Sequence, residues 1–165
     1  MTTPPASRYP LESSVLLLDL YRLASLFLAS DRFRTLSKAS SFHHDSLGAL
    51  AAYFEESEAF RILLAAAIWL RVQLDQGHAE APNPAAVVGS LRVKAATGDT
   101  VEDLTLREAC NKIIHGQGFH VSYRDTDTAE RYLSGHITFT GAHRNLPWEA
   151  ALDVLAFIRA ANPSP

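Results

Sequence analysis

Three side chains between residues 104 and 125 (LTLREACNKIIHGQGFHVSYRD) stand four apart: Arg107, Asn111 and His115. Helix positions four apart are surface neighbours, so on one helix these three form a narrow polar ridge. A guanidinium is a rigid fork of donors that suits a phosphate. An imidazole titrates near neutrality and can take or give a proton, and an amide can orient either group. The ridge therefore supports two readings. In one, the three groups converge on a phosphate. In the other, His115 and Asn111 bond to nearby loop backbone and Arg107 pairs with Glu102 or Asp103.

The element carrying the ridge is legible. Thr105-Leu-Arg-Glu108 matches the capping box, which starts a helix at Thr105. Gly116, just after His115, is the expected residue past its end. On this helix Leu106, Ala109, Cys110 and Ile113 fall on another side and face the core. Cys110, the single cysteine, excludes an internal disulfide and reads as a small buried side chain; five positions from His115, it forms no dyad with it.

Around that helix the spacing predicts a mainly α protein. Residues 1–10, with three of the eight prolines, form a flexible lead, and residues 11–162 a single α-rich domain. Leucines crowd every face from Leu11 to about Ser30, which marks a central helix or one with a partner. A second short helix is expected from Ser30, then a loop at SFHHDSLG. A longer helical stretch follows from Asp45 to Gln76 with Gly77 as its stop, and the acids at 55, 56 and 58 mark a solvated face or a break within it. VVGSLRVKAATGD is ambiguous, with a short strand followed by a turn as one reading. After Gly118 the period changes to two: Phe119, Val121 and Tyr123, then Ile137 and Phe139, predict the two strands of an antiparallel hairpin. The last helix is expected from about Pro147 to Ala161. The sum is a helical bundle of four to five helices with a two-stranded antiparallel β-hairpin near the C-terminus.

The arginine–polar–histidine ridge on a late helix of a small bundle resembles the HEPN superfamily (higher eukaryotes and prokaryotes nucleotide-binding domain). The resemblance implies a metal-independent endoribonuclease or RNA-binding protein of a toxin–antitoxin or defence system, with the site shared across a homodimer. On that reading His115 is the general acid–base at a ribose 2′-hydroxyl. Arg107 stabilises phosphorane charge, Asn111 positions one of them, and Lys112, His120 and Arg124 contact single-stranded RNA. Where the family's polar residue follows its arginine directly, this chain has Glu108. The alternative is a non-catalytic protein-interaction module, its ridge structural and its hairpin edge open to a protein partner.

Composition bounds these readings. Of 165 residues, 47 % are hydrophobic and 20 % charged, which argues against disorder, and a net charge of −3 gives no global basic field for duplex nucleic acid. No cofactor is expected. Four of seven histidines (His115, His120, His136 and His143) fall in the last third, and His120 and His136 could oppose each other on paired strands. Yet no CxxC or HExxH spacing accompanies them, so no metal is expected. The longest charge-free apolar run, ILLAAAIWL, is too short to span a bilayer, and no signal peptide is recognised at the N-terminus, so a cytoplasmic protein away from membranes is expected.

Overall fold

The structure, a computed structural model, describes residues 13–39, 46–77, 81–96, 98–125 and 131–162. The expected lead at 1–10, the histidines at 43 and 44 and residues 126–130 between the two expected strands lie outside them. Among the described residues the chain forms α1 (Ser13–Ala39), α2 (Ser46–Gln76), β1 (Val87–Ala95), β2 (Gly98–Thr105), α3 (Leu106–His115), β3 (Gly118–Asp125), β4 (Arg131–His143), β5 (Leu146–Asp153) and α4 (Val154–Ala161). The five strands make one sheet in the order β2-β1-β5-β4-β3, every neighbouring pair antiparallel. No helix of the described residues is long and apolar enough to cross a membrane.

The sheet overturns the expected helical bundle with a two-stranded hairpin. The stretch from 146 reads as helix by composition, yet Trp148, Ala150 and Leu152 are buried in strict alternation while their neighbours are not. That segment lies between β1 and β4 as the central strand, and backbone pairing on both sides outweighs the helix preference of its alanines and glutamate. Only the last eight residues of the expected helix are helical. Asp153 caps them, accepting from the Ala156 N–H at 3.0 Å. The ambiguous segment at 87–99 supplies β1 and the start of β2.

The register fixes two faces. Leu91, Ala150, Phe139 and Phe119 stand in one row across four strands, as do Ser90, Ala151, Thr138 and His120 in the next. The first row packs under the helices in a single core with Leu23, Ile62, Leu63 and Leu70. The second belongs to an open face with exposed Arg92, His120, His136 and Thr140. His136 pairs with Asp153 and His120 with Thr138, so the two histidines are not opposite each other.

Both long helices run unbroken. Ser30 does not start a second helix; it is buried at 1 % exposure inside α1. Its hydroxyl donates to Glu55 Oε1 at 3.0 Å and accepts from the Leu133 N–H at 3.1 Å. Glu55, expected on a solvated face or at a break, is 5 % exposed and takes Arg34 Nη2 at 2.9 Å. Three elements are thus pinned by one buried carboxylate. The helix α2 ends where expected, at Gly77, whose φ of +63° suits a residue without Cβ.

Candidate functional site

Helix α3 is short but firmly held. Its first N–H groups, which no helical carbonyl can reach, donate to the loop before β1: Leu106 N to Ala86 O at 2.8 Å and Arg107 N to Pro84 O at 3.1 Å. The Thr105 hydroxyl accepts from Glu108 N at 3.4 Å. The other half of the capping box is replaced: the Glu108 carboxylate takes Asn111 Nδ2 at 3.1 Å and Lys112 Nζ at 3.0 Å. Leu106, Ala109, Cys110 and Ile113 are the buried face. At the other end Gly116 is extended rather than left-handed (φ −63°, ψ 143°), because Gln117 N donates to Thr140 O at 2.8 Å and draws the chain into β3.

The ridge divides along its length. Arg107 turns to α2 and pairs with Asp75, which also holds Arg71 Nε at 3.1 Å. The acid that engages it is therefore neither Glu102 nor Asp103. Asn111 and His115 turn instead, with Glu108 and Lys112, into a cleft of about 560 Å³ over the helix-covered face of the sheet. Strand residues complete it: Leu91 and Val93 from β1, Glu102 from β2, Ala142 and His143 from β4, Leu146 and Trp148 from β5.

Trp148 is the floor, 5 % exposed. It stands opposite Gly141 in the β4–β5 register, and a Cβ there would come within 2.8 Å of indole Cε2 and 3.1 Å of Cη2. Only a residue without a side chain lets the ring lie so close to the strand. Lys112 Nζ lies 4.4 Å from the ring centroid on its way to Glu108, a cation–π contact and an ion pair made by one ammonium.

Burial raises the Glu108 carboxyl, but the hydrogen bonds from Asn111 and Lys112, with the charges of Lys112 and Arg71, outweigh it and leave the group below its ordinary value. Burial pushes the Cys110 thiol up to about 12, so it stays protonated and is no nucleophile. His120 and Arg124 are exposed on β3 and neither lines the cleft, so of the expected RNA contacts only Lys112 belongs to it. No group of three or more His, Cys, Asp or Glu among the described residues is arranged to hold a metal ion.

Of the residues singled out by spacing, Asn111, Lys112 and His115 line the cleft and Arg107 does not. Spacing missed Glu102, Leu146 and Trp148 as site residues and grouped His143 only with possible metal ligands, because their convergence depends on strand pairing. The signal that was there is the glycine–tryptophan pair, Gly141 and Trp148, which becomes meaningful once β4 and β5 are registered. Comparison with family models, with curated proteins and with solved structures finds no match for this chain.

Proposed function

We propose that this chain is a binding domain for a small, partly apolar organic molecule that is uncharged or carries a single positive charge. The observation that carries the reading is the convergence of Asn111, His115, His143 and Glu102 on one cleft whose floor and wall are Trp148, Leu91, Val93 and Leu146. A concave site of a few hundred Å³ with apolar walls and a few convergent polar groups is the usual form of a small-molecule site. The apolar side chains gain from removing ligand surface from water, and the amide, imidazoles and carboxylate fix its orientation. Charge sets the class of ligand. Two carboxylates, Glu102 and Glu108, face one ammonium, Lys112, an excess of one carboxylate in the cleft lining.

That balance favours a small ligand over an RNA chain. The endoribonuclease reading needs Arg107 and His115 on one phosphate, whereas Arg107 is engaged by Asp75 outside the cleft lining. The ion pair favours the structural role for Arg107 that the interaction-module reading assigns to the whole ridge.

The test is a thermal-shift screen with uncharged and monocationic heteroaromatic compounds, run on wild type and on an Asn111→Ala/His115→Ala variant. A compound at a hundredfold its Kd adds about 2.7 kcal/mol, which for a chain of this size raises Tm by roughly 5–10 °C. Hits are expected in wild type and are expected to vanish in the variant. The proposal is overturned if no compound shifts wild type while the protein cuts single-stranded RNA in EDTA and loses that activity with His115→Ala.

A further inference from the structure

The outward side of the α1–α2 layer is apolar where a solvent-facing helix is ordinarily charged. Tyr21, Leu28 and Phe33 on α1 and Leu50, Phe54 and Ile68 on α2 are each between 42 % and 71 % exposed. Two furrows run between these helices on that side. One of about 540 Å³ lies among Tyr21, Leu26, Phe33, Leu50 and Phe54, and one of about 250 Å³ lies among Val15, Ala65 and Ile68. Helix α1 carries apolar side chains on both sides: Leu16, Leu20, Leu23 and Phe27 fill the core, while Leu17, Leu18, Tyr21 and Leu28 are exposed beside the polar Arg22, Asp31 and Arg32.

We propose that this face is the interface of a homodimer, in which α1 and α2 of two copies pack face to face into a four-helix layer between two sheets. Area is the first argument. At about 1.5 Å of rise per residue the 27-residue α1 spans about 40 Å, and two helices side by side are about 20 Å wide, giving roughly 800 Å² per copy. That matches the roughly 800 Å² per partner of a stable specific complex. Charge is the second. The ionic groups at the centre of the face pair within the chain: Arg22 with Asp19 at 3.5 Å, and Arg61 with Asp19 at 3.5 Å and with Glu58 at 2.7 Å. Two cations and two anions leave the centre neutral. A second copy can meet it about a twofold axis without net repulsion, whereas an anionic membrane or a nucleic acid finds no basic field there. The projecting Tyr21 side chain of one copy is suited to the other copy's furrow, as aromatic anchors are in well-packed interfaces.

No residue of this face lines the cleft of α3, so the dimer stands or falls apart from ligand binding. Sedimentation equilibrium of the full chain at micromolar concentration is expected to give twice the 18.1 kDa monomer mass. Leu50→Glu/Phe54→Glu is expected to weaken the dimer at least about a hundredfold, with circular dichroism unchanged. Tyr21→Glu is expected to do the same should the double variant fail to fold. Val101→Glu, on the open face of β2, is expected to leave the dimer intact. A monomeric wild type, with or without binding to vesicles of anionic phospholipid, overturns the proposal. So does a dimer that survives a folded Leu50→Glu/Phe54→Glu or Tyr21→Glu variant.

Discussion

Gly141→Ala separates the cleft as described here from one that merely happens to contain a tryptophan. The methyl group would lie within 2.8 Å of Trp148 Cε2 and 3.1 Å of Cη2, well inside van der Waals contact. The ring cannot simply swing away. It is 5 % exposed, Lys112 lies over it, and the Trp148 backbone is paired to both β1 and β4. Overpacking of this kind costs about 1–3 kcal/mol. Displacing the ring from Lys112 removes a cation–π contact of about 1 kcal/mol at a mostly buried lysine. The sum, about 2–4 kcal/mol, lowers Tm by roughly 4–16 °C in a chain of this size. Calorimetry reads the stability, and the indole N–H resonance of Trp148 in a ¹H–¹⁵N spectrum reads the displacement. A Tm within about 1 °C of wild type, with that resonance unmoved, would refute the packing of Trp148 against β4 and with it the floor of the cleft.

Other variants probe the remaining supports. Glu55→Ala strands Arg34 and the Ser30 hydroxyl; breaking a buried pair from one side costs about 3–5 kcal/mol, here nearer 3 because Arg34 keeps some exposure, and calorimetry is expected to show a Tm loss of roughly 6–12 °C. Glu108→Gln tests the depressed carboxyl. A group whose folded pKa lies below its unfolded value stabilises the fold above the ordinary carboxylate range and loses that contribution as pH falls through the folded pKa. The wild type is therefore expected to exceed Glu108→Gln by no more than about 1 kcal/mol at neutral pH, given the exposure of the pair. Denaturant titrations are expected to show that gap closing as the pH falls below the ordinary carboxylate range. Arg107→Ala removes a surface pair with Asp75 and is expected to cost less than about 1 kcal/mol by denaturant titration while leaving ligand-induced thermal shifts intact.

The parts of the fold visible in the sequence are those with local signals. Thr105 and its helix, Gly77 at the end of α2 and the alternation of Phe119, Val121 and Tyr123 each depend on residues within one or two turns of chain. The strands left ambiguous or read as helix lack such signals. A register shift between Val87 and Gly89 disturbs the alternation of β1, and β5 is rich in residues that prefer helices in isolation. The serine at 30 looks like a cap beside Asp31, but its hydroxyl is committed to partners 25 and 103 residues away. The site follows the same rule. Asn111 and His115 share a helical face and could be grouped from spacing alone. The departure of Arg107 to Asp75 and the arrival of Glu102, His143 and Trp148 are set by how α2 and three strands pack around that helix.

The most direct test of the binding proposal is a residue-by-residue ¹H–¹⁵N map during titration with a compound from the thermal-shift screen. Saturable shifts are expected at Glu102, Asn111, Lys112, His115, His143 and the Trp148 indole, with the open sheet face around His120 and Thr138 unchanged. Shifts confined to that open face or to the α1–α2 furrows, with Trp148 and His115 unmoved, would contradict the assignment of the α3 cleft as the ligand site.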